Sequence, residues 1–209
     1  MAITYPLTLP TVTGVQSVNF IARNSVGTTA SPFTYEQQVF KNVGQRFEAD
    51  ITLPPMSRAD AEVWNTFFIK LYGQYGTFLL GDPNSATPRG TASSSAGTPV
   101  VNGASQTGNT LICDGAPNSK TGYLKAGDYI QLGTGSTSKL HMVVADSNSD
   151  GSGNFTLSIE PALRESPAEN LAITVANTKG VFRLATNETN WDTNAVSTYG
   201  ITFAVREVL

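Results

Sequence analysis

Hydrophobic residues recur at every second position near both ends of this chain, and a single segment departs from that period. Phe47, Ala49, Ile51 and Leu53 alternate with Arg46, Glu48 and Asp50. Val18, Phe20 and Ala22 repeat the pattern, as do Phe33, Tyr35, Gln37 and Val39, and then Tyr199, Ile201, Phe203 and Val205. Such alternation sets one row of side chains on a core and the other in water, so residues 15–53 and the C-terminal stretch read as strands. Gly27 with Ser31-Pro32, and residues 42–44, supply turn chemistry between them.

The period changes after Pro54-Pro55-Met56. Ser57 stands where an N-cap belongs, Asp60 and Glu62 fall in the first turns, and Ala61, Trp64, Phe67, Phe68 and Leu71 recur at helical spacing before Gly73. One helix over about 57–72 is predicted, with Trp64 and Phe68 on the sheet. An aromatic stripe at this spacing is core, not a cofactor box. Residues 77–80 return to strand.

Residues 84–109 are dominated by Ser, Gly, Thr and Ala and offer little for a core. They read as an exposed linker or as short edge strands with wide turns, and whether 91–109 are ordered is left open. Short β segments follow at 110–113, 129–132, 140–145, 154–159 and 171–175, spaced as in a small barrel or sandwich. The final strands match the style of the first 80 residues. The predicted organisation is therefore a frame of residues 1–83 and 179–209, with a β domain of residues 84–178 inserted at a loop tip.

Composition narrows the function. The 209 residues carry 13 Lys+Arg against 16 Asp+Glu, a net charge of −3, while Ser and Thr number 18 and 26. Nucleic-acid binding by charge needs a basic surface that this balance does not supply. One Cys and one His exclude an internal disulfide and the usual four-ligand zinc sites. The N-terminus lacks a basic signal region, and no apolar run approaches the ~18 residues that span a bilayer.

The chemical motifs point to structure. Asp146, Asn148, Asp150 and Gly151 match the opening of a calcium loop, and these three side chains are the one metal candidate. The loop ends on Leu157 where a bidentate Glu is needed and has strand-like flanks, so a hairpin tip is the favoured reading. His141 and Cys113 lie in strands without a nucleophile–base arrangement and read as structural. No phosphate-binding loop follows a strand–helix junction. The sequence assigns no catalytic and no cofactor-binding residue. Trp191, flanked by polar residues, reads as a partner or glycan contact or as a lid on the core.

Several blocks carry a family likeness. The string TLPPMSRADAEVWNTFFIKLYGQYGTFLLGDP followed by PRGTA, and later LKAGDYIQLG, KLHMVVADSNSDGSGNFTLSIEPALR and GVFRLATNETNWD, resemble the distal tail proteins of long-tailed, siphovirus-type bacteriophages. That resemblance implies a mainly β protein: an N-terminal β-sandwich belt domain with one helix, completed by C-terminal strands, plus an inserted small β-barrel or galectin-like/OB-like domain. It implies a structural virion protein, assembled in the host bacterial cytoplasm, that forms a hexameric ring at the tail tip between the tail tube protein and the baseplate or tail-tip hub protein. DNA would pass through the bore without specific binding, and the insert could meet a host glycan or side-fibre protein. The matched strings carry no catalytic motif and transfer no active site. Within this reading Phe33, Tyr35, Gln37, Phe40, Arg46, Glu48, Tyr72, Tyr75 and Phe78 are the predicted oligomer interface. A carbohydrate-binding adhesin and a tail-tube subunit are the alternatives.

Overall fold

The period-2 segments at the two ends of the chain meet in one sheet. In the computed structural model, which describes residues 3–193 and 199–209, β1 (Leu7–Thr8) leads to two long strands, β2 (Ser17–Ala30) and β3 (Gln37–Thr52). Helix α1 (Arg58–Leu71) and β4 (Phe78–Leu80) follow. Six strands come next: β5 (Val100–Val101), β6 (Gly108–Asp114), β7 (Tyr129–Leu132), β8 (Lys139–Val143), β9 (Phe155–Leu163) and β10 (Ile173–Thr174). The chain ends through β11 (Gly180–Leu184), the short pair β12 (Asp192–Thr193) and β13 (Tyr199–Gly200), and β14 (Thr202–Glu207). The protein is mainly β with one α-helix among the described residues.

The first sheet has the order β1-β4-β11-β14-β3-β2, antiparallel except for β1 against β4. Helix α1 covers it. Ser57 caps the helix by accepting from the Asp60 amide, and Tyr72 closes it in the left-handed region at φ 50°. Gly73 follows at φ 65°, where a Cβ would also come within 2.9 Å of the Asn187 Cα, so the stop requires glycine twice over. Trp64 sits at the centre of the helix–sheet layer. Its ring lies 6.0 Å from Phe67, 5.9 Å from Phe68 and 6.0 Å from Phe203, and its Nε1 donates to Thr13 Oγ1 at 3.0 Å.

The second sheet has the order β10-β7-β8-β9-β6-β5. Its two edges come together: Val100 bridges Ala172, the Val101 amide donates to Leu171 O, and the Ile173 amide donates to Pro99 O. The sheet thereby nearly closes into a six-stranded barrel around Leu111, Cys113, Tyr123, Ile130, Val143, Leu157 and Ile159. The opposite sides of β7 and β8 send Tyr129 and Leu140 into the core of the first sheet. One pair of neighbouring strands therefore serves both cores.

Three local expectations change. Residues 33–36 are not strand but the loop joining β2 to β3, where Tyr35 takes φ 57°. Residues 42–44 do not turn the chain; they bulge from β3 opposite Ser25 while the strand continues. Their Asn and Gly serve a bulge as well as a turn. Residues 84–109 are not devoid of core: Pro88, Ala92, Pro99 and Val101 are buried. Asp128 accounts for much of this. Its buried carboxylate accepts from the amides of Arg89 (2.8 Å), Gly90 (3.4 Å) and Lys125 (2.8 Å), stitching the Gly/Ser-rich stretch to the turn before β7.

Replacing Trp64 by Ala should cost about 3–5 kcal/mol in urea unfolding, because it removes the largest side chain of the helix–sheet layer. Asp128→Ala leaves three amide donors without their acceptor and should cost about 3 kcal/mol in the same measurement.

Candidate functional site

β3 is paired on both sides only in its second half. Residues 48–52 bond to β14 on one side and β2 on the other, whereas residues 37–45 bond to β2 alone. The distal halves of β2 and β3 therefore leave the sheet as a two-stranded arm. The seven residues of β2 opposite this stretch, Asn24 to Ala30, give it a reach of about 24 Å at ~3.4 Å per residue. From residue 22 to residue 44 every residue except Ser31 is exposed.

The arm has a fixed root and an apolar tip. At the root, Glu48 holds two guanidiniums, Arg23 Nε at 2.8 Å and Arg46 Nη2 at 2.7 Å. Partial burial works against the Glu48 charge, but the hydrogen bonds and charges of Arg23 and Arg46 outweigh it and hold the carboxyl below its ordinary pKa. At the tip, Ser31 Oγ accepts from the amides of Phe33 and Thr34, both at 3.3 Å, and the Tyr35 amide donates to Ser31 O at 2.9 Å. This loop presents Phe33, 91% exposed, and Tyr35, 81% exposed. Val43 in the bulge is 97% exposed, and Val26, Val39 and Phe40 add apolar surface along the shaft. Phe40 pairs with Gly27, which has no side chain to cover it.

A second apolar region lies by the end of α1. Tyr72 and Tyr75 are exposed, Tyr5 meets Tyr75 edge-to-face at 5.9 Å, and the Tyr5 hydroxyl donates to Lys70 O at 2.6 Å. A groove of about 490 Å³ lies between the N-terminal segment and the helix, walled by Leu7, Pro10, Val63 and Phe67 together with the polar Thr8, Glu62, Thr66 and Lys70.

The predicted interface residues are distributed unevenly over these surfaces. Phe33, Tyr35, Gln37 and Phe40 lie on the arm, Tyr72 and Tyr75 beside the helix, and Arg46 and Glu48 at the arm root, bonded to each other. Phe78 is a correction. It is 0% exposed, lies 5.5 Å from the Phe67 ring, and belongs to the core that holds α1 to β4. Its strand is an inner one, flanked by β1 and β11, so alternation there points to core. Trp191 is half-exposed just before β12. Val26 and Val43 join these exposed surfaces without a signal in the sequence. The alternation gave no reason to expect both faces of a strand to be wet, and Val43 sits between two turn-forming residues.

The remaining chemical candidates are engaged locally. Asp146 Oδ1 accepts from the Ala126 amide at 2.9 Å, and Asn148 Oδ1 accepts from the Gly122 amide at 2.7 Å. Asp150 Oδ1 accepts from the Ser152 and Asn154 amides, both at 2.8 Å, and Oδ2 accepts from Asn154 Nδ2 at 2.9 Å. The Asn154 side chain and amide, then the Ser152 amide, hold the Asp150 carboxyl below its usual range. These side chains pin the loop between β8 and β9, and no group of three His, Cys, Asp or Glu gathers among the described residues. Burial, and then the neighbouring Asp114 charge, push the Cys113 thiol up. His141 is 3% exposed, and Nδ1 stands 2.7 Å from Pro161 O. A carbonyl only accepts, so Nδ1 carries the proton. Burial lowers the imidazole to about 4 against the help of that hydrogen bond, with the charges of Arg164 and Lys139 adding to the fall.

No protein-family model matches the chain, and no curated protein matches its sequence. No helix among the described residues is long and apolar enough to cross a membrane.

Cys113 should resist alkylation in the folded protein and react only on unfolding, as mass spectrometry across a urea series would record. For His141 the folded pKa of about 4 lies below the ordinary 6.5. Between these values the unfolded chain takes up the proton and the folded chain does not. The His141 contribution to stability should therefore fall as pH drops from 6.5 to 4, by about 3 kcal/mol, and His141→Gln should flatten that part of the urea-midpoint profile.

Proposed function

We propose that this chain is a structural subunit of a phage tail that closes with copies of itself into a six-membered ring at the distal end, joining the tail tube to the baseplate or tail-tip hub. The resemblance of the quoted sequence blocks supports this reading, and the observation that carries it is the exposed arm. A lone two-stranded hairpin is marginally stable in water. This one bears six exposed apolar side chains (Val26, Phe33, Tyr35, Val39, Phe40 and Val43) along unpaired strand edges. Unpaired edges and aromatic tips are what an assembling subunit buries on its neighbour.

Ring closure sets one face of a subunit against a different face of the next. The arm supplies one face, and the exposed tyrosines with the groove beside α1 supply a second. With a net charge of −3 per chain, the ring has no electrostatic cause to hold DNA passing through its bore. No catalysis and no cofactor enter this role.

Electron microscopy of the purified protein should record single closed rings with a central hole. Long tubes would make the chain a tube subunit instead. A strict monomer, alone and with its neighbouring tail proteins, would sink the reading. Phe33→Ser and Tyr35→Ser should each weaken subunit association by about 2 kcal/mol in sedimentation analysis. The urea midpoint should stay nearly constant, since neither side chain touches a core.

A further inference from the structure

The open end of the barrel holds a cavity of about 440 Å³, within the usual range of ~300–1,000 Å³ for small-ligand pockets and in a place where barrels commonly bind them. Leu132, Leu163 and Leu171, from the rim of the barrel core, give it an apolar side. Lys139 and His141 line it from the same face of β8, and Glu165 from the loop after β9. Arg164 also borders it, but its guanidinium already binds both Glu207 carboxylate oxygens and Gln45 O.

His141 specifies half of the ligand. Its Nδ1–H is held by Pro161 O, so Nε2 is a lone-pair acceptor, and it has no hydrogen-bond partner among the described residues. His141 lines the cavity, and an unpaired acceptor there calls for a donor: a hydroxyl or an N–H, not a bare anion. Lys139 specifies the other half. Its ammonium forms no ion pair among the described residues, and its Cα lies two positions along the strand from that of His141, about 6.8 Å away along the backbone.

We propose that the open end of the barrel binds a hydroxylated organic anion of monosaccharide size, a uronic-acid unit, with His141 Nε2 accepting from a ring hydroxyl and Lys139 pairing with the carboxylate. The leucine side takes the C–H face of the ring. Glu165, exposed on the same rim, opposes the anion and sets a ceiling on affinity. The site does not depend on ring assembly.

His141 is the only histidine, so its ring signals in NMR report the cavity without overlap. Titrating the full-length protein with D-glucuronate should shift those signals to saturation, with D-glucose binding more weakly. Lys139→Met should weaken glucuronate about fivefold and leave glucose unchanged. Glu165→Gln should tighten glucuronate alone. Both variants change partly or fully exposed side chains, and an unaltered His141 spectrum without ligand verifies their folding. Tighter binding of an oligouronide than of the monomer assigns the site to a polymer, and the reverse to a free acid. Glucose binding as tightly as glucuronate, inorganic phosphate shifting His141 equally, or His141 signals unmoved at saturating glucuronate would each overturn the proposal.

Discussion

The strand pairing of β3 governs the layout of the molecule. A strand interior to a sheet satisfies its backbone groups on both sides, and residues 48–52 do so between β14 and β2. Where β14 ends, β3 continues with only β2 beside it, and the two strands become an arm by default. The same six-residue length of β14 that completes the core also decides where the arm begins. Core and projecting surface are thus parts of one hydrogen-bonding pattern.

Two buried carboxylates tie the rest to this frame. Glu207, near the end of β14, accepts from the Phe47 amide at 3.0 Å and from Arg164 at 3.2 Å. Arg164 follows β9 and also reaches Gln45 O at the arm root. Barrel, last strand and arm therefore converge on one ion pair. Such a pair is weak evidence of added stability, because desolvation opposes the attraction, but it fixes geometry: removing either partner strands the other. Asp128 does similar work mainly through backbone amides, with the Arg89 guanidinium 3.8 Å from its carboxylate.

The features legible in the sequence were those with a period and an uninterrupted core partner. Residues 47–53 and 199–205 announced their strands, and Ser57 with its aromatic stripe announced the helix and its buried face. Residues 33–35 misled because Phe and Tyr alternate in a loop as they would in a strand, and only the tertiary path separates the two. Residues 84–109 misled for the opposite reason. Their side chains are too small to signal a core, and their order comes from Asp128, nearly forty residues away, and from close backbone packing. Gly90 is the plainest case, since a Cβ there would fall 2.2 Å from Tyr123 O. Of the residues proposed for an assembly surface, Phe33, Tyr35, Phe40, Tyr72 and Tyr75 were picked by residue type, and the structure leaves them exposed. Residue type could not separate them from Phe78, whose chemistry is identical and whose position is wholly interior.

The near-closure of the barrel bears on the order of folding. The frame can be completed only when β11 reaches β4 across roughly 100 intervening residues and β14 reaches β3 across roughly 150, and pairings so distant in sequence are slow to form. The barrel closes on itself from Pro99 to Ile173 with contacts among its own strands. Once closed it brings its two ends together, since Leu80 stands opposite Gly180. A hundred-residue search then becomes a step little longer than a hairpin. During synthesis the barrel emerges before the strands that finish the frame, so the middle of the chain acts as a splint for its ends.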